Sequence, residues 1–434
     1  MIPILLPIGA LLSGIGLLLM GTGLLNTLLP LRGSAEGFSD QTLGLLGSAY
    51  YAGFIIGTWV CPRLIRRMGH IRSFAFCAAA TAAAILLHVL IVDAAFWFVL
   101  RVLTGIVLVG IYTVVESWLN SEAPSERRSQ VFAVYMVVNL GALAASQQLL
   151  RFGNPLGAVL FAVAAIFLMA AILPVTATRL PQPKITQTPA LSLKRLWSAA
   201  PVAVAGSLLA GLAMGGFWGL GAVYVSRLGM DAAAVASFMS LTILGGMIMQ
   251  WPLGLLSDRI DRRQALAIVT GVAALGGLLM LVFASSMQML LVAAAIFGAG
   301  AFAVYPTLVA HLIDHLHHDE ILSGNSALLM LNGVGSAFGP ALAGFLMGVT
   351  APGALPIFFV VLFAACSVYA FIQARSSRDR IVDEQAHFVP MVHSTDAMLE
   401  MALEDQVKPV DADGTDDRQT IVNDEPDQSS LSRP

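Results

Sequence analysis

Two ionisable residues sit where charge is least at home. Arg101 lies inside the apolar run 96–119 and is the one Lys or Arg within such a run, apart from Arg375 at the very end of the last. Glu116, in the same run, is the one carboxylate within any of them. A charge near the centre of a membrane-spanning helix costs about 2.5–3.5 kcal/mol, so such residues are functional by default. Arg101 suits contact with an anion or other solute, or a part in moving protons. The competing role is structural: its long side chain snorkels to the interface or bonds to backbone. Glu116 suits proton uptake and release, because burial disfavours a lone charge. Its competing role is an ion pair with a loop arginine near the inner mouth. Fifteen helical residues separate the two, about 22 Å, so they do not pair with each other.

A second group is polar and uncharged: Asn26, Tyr50, Tyr51, Tyr112, Asn139, Gln147, Gln250, Tyr305, Asn325 and Asn332. On apolar helices these residues line a central cavity or bond one helix to the next. Phe217 and Trp218 pack on a solute or between helices. His311, His315, His317 and His318 cluster together, but no Cys or ordered ligand spacing completes a metal site. The three cysteines, Cys61, Cys77 and Cys366, are too scattered for a metal site or a disulfide framework. There is no phosphate-cradling Gly-x-x-x-x-Gly-Lys-Ser/Thr loop, no Gly-x-Ser-x-Gly elbow and no His-Glu-x-x-His pair. The expectation is therefore no enzyme, no cofactor, no metal, and energy from a gradient rather than ATP.

The elements that must position these residues follow from composition. Of 434 residues, 57% are hydrophobic and 11% charged, with a mean hydropathy of +0.82. Soluble domains carry about 25% charged residues. A cytosolic enzyme, a nucleic-acid binder and a disordered chain are excluded as the main reading. A bilayer-crossing helix needs about 20 apolar residues. That length predicts twelve spans: 4–31, 41–62, 73–92, 96–119, 130–150, 156–178, 198–223, 233–256, 265–285, 289–312, 322–348 and 355–375. The first is too long and lacks the positive start of a cleaved signal. With the N-terminus inside, sixteen Lys or Arg fall in or beside inner segments and three, Arg32, Arg151 and Arg227, in outer loops. That asymmetry predicts both termini on the cytoplasmic side.

Residues 179–197 form a polar, Pro-rich cytoplasmic linker between span 6 and span 7. It divides the body into six-helix bundles at 1–178 and 198–375. The bundles repeat. Trp59 and Arg67 match Trp251 and Arg259 at an offset of 192, while Gly105, Tyr112 and Asn139 match Gly298, Tyr305 and Asn332 at 193. Parallel repeats about an axis normal to the membrane are a transporter architecture, with the solute site between the halves. Residues 376–434 hold 14 acidic and 5 basic residues. This acidic tail is expected to be mostly disordered, with Thr395 placed to cap a short helix.

The loop after span 8 reads Gly254-Leu-Leu-Ser-Asp258-Arg259-Ile-Asp261-Arg262-Arg263. It resembles the Gly-x-Leu-Ala/Ser-Asp-Arg-x-Gly-Arg-Arg signature of the major facilitator superfamily, with Asp261 the one departure. Arg101-Val-Leu-Thr-Gly105 resembles that family's Arg-x-x-x-Gly. Gly335, Gly339, Pro340 and Gly344 resemble its Gly-x-x-x-Gly-Pro element more weakly. Gln250-Trp-Pro-Leu-Gly254, Val114-Val-Glu-Ser-Trp118, Ala303-Val-Tyr-Pro306 and Gly335-Ser-Ala-Phe-Gly-Pro340 resemble a bacterial YcaD-type branch. Arg66 stands where the family places an aspartate, and Ala144, Ala145 and Ser146 replace the Gly-Pro element of exchangers.

The resemblance implies an all-α membrane protein of twelve helices in two parallel six-helix repeats. It implies a monomeric secondary transporter of a small solute in the bacterial inner membrane, driven by protons, with no nucleic-acid partner. The alternative is a transporter-derived sensor signalling through its tail. It also implies a cytoplasmic gate in which the signature aspartate of one half faces the fifth helix of the other. When the transporter is open outward, Asp258 is then expected to approach Arg127 and Arg128, and Arg66 to approach Glu320, each pair breaking on opening inward, with Arg67, Gly254 and Arg259 in the same loops.

Overall fold

The computed structural model describes residues 2–123, 128–177, 183, 191–376 and 391, with the side chains of 2–7, 129, 318 and 376 left aside. Thirteen α-helices carry the described chain. The first half comprises α1 (Ile2–Ala35), α2 (Asp40–Met68), α3 (His70–Leu90), α4 (Ala94–Glu122), α5 (Arg128–Gln148) and α6 (Val159–Thr176). A short helix α7 (Leu193–Ala199) follows. The second half comprises α8 (Pro201–Arg227), α9 (Ala232–Ser257), α10 (Arg262–Val282), α11 (Met287–Ile313), α12 (Ile321–Val349) and α13 (Ala354–Ser376). Twelve are long and apolar enough to cross a membrane. In hydrocarbon every backbone group must be satisfied internally, which dictates helix for each of these runs. α1, α2 and α4 run five or more residues longer than the spans the sequence marks, α6 is five shorter, and the other spans agree in length within three.

Helix starts are set by short polar side chains. Ser39 Oγ accepts from the Thr42 amide and Asp231 from the Ala234 amide, capping α2 and α9 at equivalent repeat positions. Asp93 caps α4 through the Phe96 amide. Gly69, at φ +83°, makes the tight turn from α2 into α3. Its counterpart Asp261 needs no positive φ. It accepts from the Arg263 amide and caps α10, which accounts for that departure from the signature.

The repeat reappears in packing. A Cβ on Gly105 would collide with the Tyr50 carbonyl, and one on Gly298 with the Thr242 carbonyl. The crossings of α2 on α4 and of α9 on α11 are thus backbone-on-backbone at matched positions. Gly335 and Gly339 press on α8 in the same way, and Gly344 on the backbone of α2.

The start of α1, the end of α13 and α7 lie at one face of the bundle, called here the terminal face; the opposite end is the far face. The linker is fastened to the second half. The Leu191 amide donates to the Ser323 carbonyl, and Arg195 donates twice to Glu320 at 3.0 and 2.8 Å. That pairing holds the Glu320 carboxyl below the usual carboxylate range. The tail expected to be disordered lies outside the described residues, apart from Met391.

Candidate functional site

Arg101 projects from α4 into the first half and is almost fully buried. Its Nη1 donates to Asn26 Oδ1 on α1 at 3.3 Å, and its Nε to the Leu46 carbonyl on α2 at 3.4 Å. Its guanidinium stacks over the Tyr50 ring at 4.4 Å. Among the described residues no carboxylate pairs with it and its Nη2 makes no hydrogen bond. A buried cation held by a ring, an amide and a carbonyl has orientation without neutralisation.

From Arg101 an aromatic row leads along α2 and α4 toward the terminal face. Tyr50 meets Tyr51 edge-on at 5.1 Å and Phe54 at 6.4 Å, and Phe54 meets Tyr112 at 6.5 Å. Tyr112 is one helical turn before Glu116. Glu116 is buried and accepts from Tyr135 OH on α5 at 2.8 Å. The sequence marks Arg101, Asn26, Tyr50, Tyr112 and Glu116 separately. The structure joins them into one wall and adds Phe54 and Tyr135, whose aromatic types carried no chemical signal of their own.

The second half presents a different wall. Trp218 packs edge-on against Phe302 at 6.2 Å and against Phe217 at 5.2 Å. Gln250 is buried on α9 and donates to the carbonyls of Phe302 at 3.3 Å and Met391 at 3.2 Å. Tyr305 is buried in α11. Asn332 donates to the Ser207 carbonyl at 3.1 Å and so ties α12 to α8 rather than lining a cavity. Gln147 does likewise for α5 and α1, accepting from Thr27 at 2.6 Å and donating to the Gly23 carbonyl. Asn139, the repeat partner of Asn332, is buried on α5 one turn after Tyr135 and has no such inter-helix bond to a described backbone.

Several hydrogen bonds and ion pairs join the two halves at the far face. Arg227 at the end of α8 pairs with Asp40 at the start of α2 at 2.9 Å. Gln148 donates to Ser240 Oγ at 2.6 Å, Arg151 to Ser237 Oγ at 2.6 Å, and Ser240 to the Ala144 carbonyl at 2.8 Å. Gly44 and Gly47 let α2 lie against Pro340 of α12. At the terminal face the signature loop pairs within its own half. Arg262, itself buried, donates to Ser257 Oγ and Asp258 at 2.8 Å and to buried Asp314 at 3.2 Å. Arg66, Arg67 and Arg259 are exposed there, Gly254 is buried, Glu320 is held by Arg195, and Arg127 lies outside the described residues. Of the expected gate pairs, Arg66 with Glu320 is not formed in this arrangement.

Two equivalent six-helix halves, joined at one face and carrying ionisable groups inside the membrane, define a polytopic solute transporter. The Major Facilitator Superfamily model matches residues 11–284 and 206–396, and the chain belongs to that family. A protein of Escherichia fergusonii named as uncharacterized MFS-type transporter YcaD is 28% identical over 375 residues, covering 86% of this chain and 96% of its own. Its Escherichia coli O7:K1 counterpart is 29% identical over 374 residues, with the same coverage. Among solved structures, the nucleoside transporter NupG superposes with a TM-score of 0.68 at 13% identity, over 84% of this chain and 98% of its own. A bacterial homologue of the human lysosomal transporter Spinster, inward-facing and occupied, gives 0.67 at 15% identity, over 85% and 96%. Those two likenesses show the fold alone. Twelve apolar helices and these relatives make it a multi-pass inner-membrane protein.

Proposed function

We propose that the protein is a monomeric secondary active transporter that carries a small anionic solute by alternating access, coupled to protons at Glu116. The terminal face is cytoplasmic, by the excess of arginine in its loops, so the bundle closed at the far face is the inward-facing state. The observation that carries the solute class is Arg101. It is a buried cation with no carboxylate partner among the described residues, and its Nη2 makes no hydrogen bond there. A carboxylate or phosphate on the solute supplies the missing anion and makes a paired, charge-assisted contact. The aromatic row and Trp218 offer flat apolar surface for the rest of the solute. Glu116, with Tyr135 donating to it, is the group that holds and releases the proton. Opening the far face must close the cytoplasmic one. Asp258 then approaches Arg127, and Arg66 exchanges with Arg195 for Glu320.

The test is a stabilisation screen of purified protein against organic carboxylates, phosphate esters and matched neutral solutes, followed by transport of any hit in proteoliposomes. Anionic compounds should raise the melting temperature of the wild type but not of Arg101→Ala. Arg101→Lys should restore little, because a point charge does not replace a planar fork. Glu116→Gln should lose proton-driven accumulation and keep counterflow exchange. Hits confined to neutral solutes, or full accumulation by Glu116→Gln, would overturn the respective part.

A further inference from the structure

Met391 stands fifteen residues beyond the end of α13, in an acidic tail, yet it is 3% exposed and belongs to the apolar core. Its carbonyl accepts from Gln250 Nε2 at 3.2 Å. Gln250 itself is buried and lies seven residues before the end of α9, so the contact is about 10 Å inside the terminal face. Nothing in the last helix places it there: α13 ends at Ser376, and a residue well beyond that end lies inside the bundle. Gln250 lies nearer the terminal-face end of α9 than its far-face end, so the tail meets the bundle on the side where α13 ends. Gln250 bonds at the same time to Phe302, whose ring packs on Trp218. Met391 is therefore held against the wall of the second half.

The sequence around Met391 fits such a role. Phe388-Val-Pro-Met391-Val392 is an uncharged apolar run with Asp383 and Glu384 before it and Asp396 after it. Proline fixes its own φ and biases its predecessor toward extended backbone, which lowers the entropy lost on binding. A side-chain amide reading a main-chain carbonyl is tolerant of residue type, while the buried thioether supplies apolar contact.

We infer that the terminal-face part of the second half contains a binding site for an apolar segment of the chain's own tail, with Gln250 bonding the main chain of Met391 and the Met391 side chain buried in the apolar core. Since this wall is the second-half side of the solute path, the bound tail competes with the solute. That competition rests on the transporter reading; the binding site does not.

The experiment uses the full chain. Met391→Cys keeps the main-chain carbonyl, and the three native cysteines are buried. In purified protein a maleimide should label the thiol introduced by Met391→Cys about tenfold more slowly than the one introduced by Ser430→Cys near the chain end, since the buried site must open first. Adding Gln250→Ala should bring the rate at position 391 up toward that at position 430. Equal labelling of the two positions in the otherwise unaltered chain would overturn the site. Met391→Asp, which alters no residue of the bundle, should expel the segment and raise initial uptake several-fold. Unchanged uptake in Met391→Asp would overturn the competition. Absence of uptake in both proteins would instead count against the transporter reading, with the labelling still deciding the site.

Discussion

Where the first half carries Arg101 the second carries Ala294, and where the first carries Glu116 the second carries Val309. The reverse holds at the terminal face. Asp258, Arg262 and Asp314 form an ion network in the second half, with Arg262 and Asp314 buried and Asp258 half-buried, and their counterparts are Arg66, His70 and Ser121. His70 is buried against Trp118, with neither ring nitrogen bonded among the described residues. Both halves nonetheless keep the same glycine crossings and the same cap on their second helix. The lesson is a division of labour on a common frame. Steric demands of helix crossing are shared. The charge inside the membrane has gone to one half, and the ion network that braces the terminal face to the other.

The largest expected effect tests that bracing. Arg262→Ala leaves Asp314 buried without its arginine, which should cost about 3–5 kcal/mol and lower the melting temperature in detergent sharply. His70→Phe, the equivalent position in the first half, should change stability by less than about 1.5 kcal/mol, because a ring of similar volume replaces one with unsatisfied nitrogens. Comparable losses at both sites would dissolve the comparison. Next in size are Gly105→Ala and Gly298→Ala. Each puts a methyl against a carbonyl of the crossing helix, and each should destabilise by about 1–3 kcal/mol. A loss at one alone would show that the halves share a sequence pattern but not a packing constraint. The smallest effect concerns the gate. Arg66→Glu should slow uptake, and adding Glu320→Arg should recover part of it, in keeping with about 1 kcal/mol for a partly exposed pair. A double variant no better than the single would exclude that pairing.

Much of this was legible from composition and spacing. The spans follow from apolar length, the repeat from one near-constant offset, and Arg101 and Glu116 from being charges where charge is expensive. What was not legible depends on helix rotation and on contacts between distant segments. Asp40, Arg151 and Arg227 read only as loop charges until the far face brought α2 to α8 and α5 to α9. Asn139 and Asn332 are equivalent in sequence but not in bonding: Asn332 donates to the Ser207 carbonyl of α8, and Asn139 makes no such bond to a described backbone. The polar linker gave no sign that α7 docks with Leu196 buried. Met391 sits in a segment whose acidic average masks the five-residue apolar exception at 388–392.

The docking of the linker has a mechanical consequence. With Leu191 and Arg195 fixed to the start of α12, the tether between the halves is the stretch from Thr176 to Leu191. Fifteen residues reach up to about 50 Å when taut. The described end of the linker therefore moves with the second half: any displacement of α12 carries Leu191 and α7 with it.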